Sequence, residues 1–401
     1  MTRKHGMTLG VSFLAALLIL GAGQAVLQAA GDAEAQSFEA PYFEVDPLWP
    51  KPLPNHWILG NAIGVGVDSR DHIFIVHRGL PSLNARTEAG AATNPPTGDC
   101  CLAAPPVLEF DPAGNLVNSW GGPGEGYSWP ISNHGLGIDH KDNVWIGGNG
   151  QDSTGRDSHI LKFTREGRLL MQLGKPNQPV NSNSMEHFGR VAKISFDPPA
   201  NEAYVSDGYG HKRVAVIDMD NGRIKRYWGA YGEKPDDAGL GPYNPDAPLV
   251  RQFRNPVHCA EPTNDGLVYV CDRPNDRIQV FRKDGSFVKE QRIAPETRGD
   301  GSVWDIAFSR DPEQKFLYLA DGKNERIYVL DRQSLEMLTM FGDGGRQPGQ
   351  FFGVHSIATD SKGNIYTTET LEGKRVQKFI YRGLAPVTTS NRGVPRAGGS
   401  Q

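Results

Sequence analysis

Three histidines stand where they can act together. His134 opens His134-Gly135-Leu136-Gly137-Ile138-Asp139, His258 lies in Val257-His258-Cys259-Ala260, and His355 lies in Val354-His355-Ser356-Ile357. Each time a polar turn follows, and then a second apolar run: Asn143-Val144-Trp145-Ile146, Leu267-Val268-Tyr269-Val270 and Asn364-Ile365-Tyr366. Each His therefore opens a β-strand at one phase of a repeating unit. Taken singly, such histidines are more often turn or wall residues. The shared phase gives all three one cause, and three His with a fourth position open is the ligand set of a catalytic zinc. Arg78 ends the second strand of the first unit, and Tyr209 stands at the matching end of the third, after Ser206-Asp207-Gly208. A guanidinium offers a fixed fork for a carboxylate, and a Tyr beside a metal and a cation can take a proton. Without the histidines, Arg78 would read as a surface ion pair and Tyr209 as a loop residue bonded to the backbone.

The elements that must position these side chains are short strands. No window of a dozen residues carries a clean helical apolar period, whereas two-residue alternation and Gly/Asp/Asn turns recur throughout. Units begin near Ile63, His134, Val191, Val257, Val303 and Val354, the last ending at Val376-Gln377-Lys378-Phe379. Six units of about four strands describe an all-β, six-bladed β-propeller. The sixth unit lacks a fourth strand, and Phe43-Glu44-Val45-Asp46 can supply it, so the N-terminal strand closes the last blade and removes an open sheet edge. An open solenoid is the competing architecture, but it requires capping ends that the sequence does not display. The first strand of each propeller blade lines the central channel. His134, His258 and His355 thus fall on blades two, four and six, an approximately threefold set. Ile63, Ala192 and Trp304 stand near that phase in blades one, three and five, and Lys193 is placed to point into the same channel.

Around this propeller, assigned to residues 36–384, the chain changes character. Arg3, Lys4 and His5 precede an apolar run from Met7 to about Gly23, and Ala33-Glu34-Ala35 follows. This predicts a signal peptide over residues 1–35, with no stable membrane span after cleavage and a secreted or periplasmic destination. An uncleaved anchor is the alternative. Residues 79–106 read as a loop insert in blade one, and residues 385–401 as a disordered polar tail. The net charge of −4 lacks the basic excess that a nucleic-acid surface needs. A small-molecule or peptide substrate in the central channel is the expected partner. Export permits disulfides. Cys259 and Cys271 fall opposite each other on one hairpin, within bridging reach. The adjacent Cys100 and Cys101 are open to a vicinal disulfide, a metal or free thiols.

At these residues the chain resembles the NHL-repeat propellers, and within them the peptidyl-α-hydroxyglycine α-amidating lyases. The resemblance runs from about Ile63 to Phe379. It is carried by His77-Arg78-Gly79, His134 to Asp139, His187-Phe188, Tyr204 to Tyr209, Pro256-Val257-His258, Asp272-Arg273 with Arg277-Ile278-Gln279, and Val354-His355. It implies zinc on His134, His258 and His355, with Arg78 and Tyr209 at the substrate. The implied activity is cleavage of a peptidyl-α-hydroxyglycine to a peptide amide and glyoxylate. It also implies structural calcium through the carbonyls of Val65 and Leu136. Two neighbours depart from the pattern: Gly353 stands where the resemblance implies Met, and Ser356 where it implies an Asp that reaches the calcium. Two other functions fit the same repeats: a non-catalytic propeller binding a protein, peptide or glycan, and a metalloenzyme of this fold acting on another small molecule.

Overall fold

The computed structural model describes residues 39–387. The expected signal peptide and all but the first residues of the expected tail lie outside the described residues. Six antiparallel four-stranded sheets form the six blades of a propeller. Their first strands are Ala62–Val67, Asn133–Ile138, Lys193–Asp197, Val257–Pro262, Asp305–Phe308 and Val354–Thr359. The sixth sheet is completed by Glu39–Asp46, which pairs antiparallel with Val376–Pro386. That pairing is the expected closure. It also carries the ordered chain two residues beyond the boundary read from the sequence, because Pro386 and Ala385 pair with Glu39 and Ala40.

Continuous apolar runs make the inner strands and alternating runs make the outer ones. Ile73–His77 is buried at every position, as expected of a strand covered on both faces. Phe287–Arg292, an outer strand, is partly exposed along its length. Six apolar clusters then fill the six blade-to-blade seams. The seam between blades six and one is packed like the others, with Val65, Ile73 and Tyr366 in one cluster. The ring is therefore closed by a core rather than by the terminal strand alone.

The hairpin turns follow from Asp. Asp68 accepts from the backbone N–H groups of Arg70 and His72, Asp139 from those of Lys141 and Asn143, and Asp360 from those of Lys362 and Asn364. A short carboxylate that folds back on its own turn in this way fixes where the first strand ends. Neighbouring turns are also tied: Ser69 donates to Asp142, and Ser361 to Asp71. Cys259 and Cys271 are paired across their hairpin as a disulfide, with Cα atoms 4.8 Å apart. Cys100 and Cys101 are joined to each other, the first of the three states left open. The insert that carries them is anchored by a parallel pair, Trp57–Ile58 with Leu102–Ala103, and by Lys374 reaching Glu88. No helix among the described residues is long and apolar enough to cross a membrane.

Candidate metal centre

The three histidines meet on the axis. Their ring centroids form a nearly regular triangle, with sides of 5.3, 4.8 and 4.9 Å. The candidate ligand atoms all lie within 4.8 Å of one another. Bulges aim them there. The pairing register skips His258 and His355 on their strands, and it skips Gly135 beside His134. A bulge adds one unpaired residue and turns a side chain out of the pleat, here into the channel. Gly135 has φ +61°, and a Cβ on it would lie 2.9 Å from the Ala192 carbonyl oxygen, so the bulge needs Gly at this position.

That carbonyl matters. His134 donates from Nδ1 to Ala192 O at 2.7 Å, and His355 from Nδ1 to Ile63 O at 2.6 Å, while His258 donates from Nδ1 to Trp304 O. Each even blade supplies an imidazole, and the next odd blade supplies the carbonyl that holds it. An Nδ1–H bonded to a carbonyl fixes the tautomer and leaves the Nε2 lone pair free for a metal. Burial keeps the rings neutral. His134 and His258 are held well below the usual imidazole pKa, chiefly by burial, with His355 and Arg78 adding for His134 and Arg273 and His355 for His258. Burial, then Arg273 and Arg78, bring His355 down to about 3. A tetrahedral zinc with bonds of ~2.0 Å needs its nitrogens roughly 3.3 Å apart. The candidate nitrogens lie within 4.8 Å of one another, and three neutral, pre-oriented imidazoles are the donor set that zinc takes.

Tyr209 lies on the same spot. Its hydroxyl is 3.1 Å from Nε2 of both His134 and His258. The phenol therefore stands beside the edge of the triangle between His134 and His258. Arg78 is at the rim, where Nη2 donates to Asn149 Oδ1 at 3.0 Å. The sequence reading did not select Arg273 as a site residue. It is 7% exposed, reaches the Tyr209 oxygen from Nη1 at 3.4 Å, and stacks on the Trp304 ring at 4.5 Å. A signal was present: Arg273 directly follows the second strand of blade four, as Arg78 follows that of blade one.

Lys193 does point into the channel, on the other side of the triangle from Tyr209. It donates to Asp305 Oδ1 at 2.6 Å and pairs with Glu261 at 2.9 Å, while Ser356 donates to Asp305 Oδ2 at 2.6 Å. Burial opposes its charge, but Asp305 and Glu261 raise the Lys193 pKa above its ordinary value. Calcium does not fit here. A calcium ion takes six to eight oxygens with carboxylates among them. Asp305 is the one carboxylate lining the narrow space beneath the histidines, and it is already held by the ammonium of Lys193. Ser356 adds a hydroxyl in place of a charge, and Val65 does not line that space, although Leu136 does. Gly353 has φ +79° and donates its N–H to both oxygens of the Glu325 carboxylate at 2.8 Å. A side chain at that position would be strained.

Fold and site together define a six-bladed β-propeller of the NHL-repeat kind with a three-histidine cluster on its axis. No protein-family model matches the chain. Among curated proteins it is similar to peptidyl-glycine alpha-amidating monooxygenase A of Xenopus laevis, 25% identical over 347 residues that cover 85% of this chain and 33% of that protein. It is similar to peptidyl-alpha-hydroxyglycine alpha-amidating lyase 1 of Drosophila melanogaster, 24% identical and covering 84% of this chain and 59% of that protein. It is also similar to NHL repeat-containing protein 3 of Mus musculus, 24% identical over 85% of each. The chain thus spans about a third of the length of the amidating monooxygenase it matches.

Proposed function

We propose that this protein is a zinc-dependent carbon–nitrogen lyase, exported to the periplasm or beyond, that splits an α-hydroxyglycine derivative into an amide and glyoxylate. The observation that carries this reading is the convergence of three neutral imidazoles with the Tyr209 oxygen at 3.1 Å from two of them. A zinc ion held by His134, His258 and His355 supplies a Lewis acid for a hydroxyl or carbonyl oxygen. The guanidinium groups of Arg78 and Arg273 bind the substrate carboxylate and orient the carbon that carries the hydroxyl. The Tyr209 oxygen receives the hydroxyl proton. As the C=O bond forms, the C–N bond breaks, and the amide nitrogen leaves with the electron pair and takes up the proton that the Tyr209 oxygen had received. The likeness to an α-hydroxyglycine amidating lyase supports this choice of substrate class.

The likeness to an NHL repeat-containing protein over 85% of both lengths favours a second reading, a propeller that binds a partner without catalysis. One experiment separates the two. Metal content is measured on the purified protein, and glyoxylate release from an α-hydroxyglycine peptide is then followed. Bound zinc with glyoxylate release supports the lyase. Bound zinc with no release moves the reading to another small-molecule reaction. No zinc uptake at all leaves the binding propeller.

A further inference from the structure

Four successive blades each bring an arginine to the mouth above the histidines. Arg78 follows the second strand of blade one, Arg156 lies in the matching loop of blade two, Arg190 precedes the first strand of blade three, and Arg273 follows the second strand of blade four. In all four the Nε is buried and has no hydrogen-bond partner among the described residues. Their terminal nitrogens are sparsely used. Arg78 bonds Asn149 through Nη2, Arg156 bonds the Gln178 carbonyl through Nη1, and Arg190 bonds the Tyr209 carbonyl through Nη2. In these three the other terminal nitrogen has no protein partner among the described residues. Arg156 is near enough to Arg190 to lower its pKa, second only to burial, and both Tyr209 and Asp157 also act on Arg190. The same two groups act on Arg78.

The acidic groups nearby do not balance this charge. Asp157 is committed to the backbone N–H groups of Ile131, Ser132 and Gly150. Asp300 reaches only Arg273, at 3.5 Å, and is more than half exposed. Two like charges left close together without a counter-ion are unfavourable, and the chain as a whole carries −4. Arg273, which reaches the Tyr209 hydroxyl at 3.4 Å, and Arg78, whose charge acts on both His134 and His355, suffice for one carboxylate at the reacting carbon. Arg156 and Arg190 are then left over, on the blade-two and blade-three side of the mouth.

We propose that Arg156 and Arg190 form a second anion subsite, so that the substrate is an α-hydroxy acid derivative carrying a further carboxylate or phosphate. This rests on the reading of Tyr209, Arg78 and Arg273 as the place where the first carboxylate binds. Paired guanidinium forks recognise either anion by the same charge-assisted geometry. The test is calorimetric titration of the purified, zinc-supplied protein with glycolate, malate and 3-phosphoglycerate, three α-hydroxy acids that differ in the second anionic group. Malate or 3-phosphoglycerate is expected to bind about tenfold more tightly than glycolate, and the stronger of the two identifies carboxylate or phosphate as the second group. In Arg156→Gln and in Arg190→Gln that ratio should collapse toward one, with Arg156→Lys intermediate because it keeps the charge and loses the fork. Zinc content, measured alongside, tests the metal reading separately, because a dianion preference in protein that takes up no zinc still upholds the subsite. Equal affinities for all three acids in the unmodified protein would overturn the proposal, as would a ratio that survives both glutamine variants.

Discussion

Blades two, four and six differ from blades one, three and five at one position on the axis, and the difference is a division of labour. The even blades place His134, His258 and His355 there. The odd blades place Ile63, Ala192 and Trp304, whose carbonyl oxygens are each taken by the Nδ1 of the preceding blade's histidine, and of the three side chains Trp304 also packs its ring against His258 and His355. One set of positions is therefore defined by side-chain chemistry and the other by backbone geometry. Residues following these positions carry the contrast one layer deeper. Lys193 and Asp305 on odd blades join Ser356 on an even blade in one buried network. A ring built this way can keep its ligands through changes in odd-blade side chains but not in even-blade ones.

The sharpest way to break this contrast is on an even blade. His258→Ala should take bound zinc from about one per chain to a residual trace, because two imidazoles do not make a tetrahedral protein site. Full zinc retention by that variant, measured by elemental analysis, would end the three-histidine reading. Tyr209→Phe is next: zinc should stay bound while turnover falls roughly 10²–10⁴-fold, the range for loss of a general base. If turnover does not change, Tyr209 takes no proton. Lys193→Met tests the deeper layer. It leaves the buried Asp305 with an unpaired charge beside the half-buried Glu261, which costs about 3–5 kcal/mol of stability. Pairing it with Asp305→Asn should recover part of that loss, and a denaturant titration showing no recovery would mean that the two side chains are not coupled. The smallest effect belongs to an odd blade. Ile63→Val should cost about 0.5–1.5 kcal/mol in packing and leave zinc stoichiometry as it was, since the bond to His355 is made by the main chain. A variant that lost zinc would show that the odd-blade side chains matter after all.

The same contrast explains what could be read in advance. Strand count, blade closure by the segment near Phe43, and the facing of Cys259 and Cys271 all follow from period-two runs and turn residues, which are sequence properties. The histidines were legible because a repeat converts equal phase into equal height on the axis. The carbonyls of Ile63, Ala192 and Trp304 were not, since any residue offers a carbonyl and only the packing of one blade on the next brings these three to the histidines. The Lys193 pairing was hidden for another reason: Asp305 is 112 residues away, and no periodicity links a channel-facing Lys to a particular acid. Arg273 is legible from the repeat, because it follows a second strand just as Arg78 does. The calcium expectation failed on one charge: the cation beneath the histidines is an amine of the chain itself.

The bond from His355 to Ile63 joins residues 292 apart in sequence. Contacts of such separation repay their loop-closure entropy last, so they set the pace of folding rather than its early steps. A chain with blades one to five formed and the sixth undocked would hold two of the three imidazoles and the Ile63 carbonyl, but not the third ligand that this carbonyl supports. On the zinc reading, metal capture would then be a late event that waits for the whole circle, and zinc uptake would serve as a readout that the last blade has docked on the first.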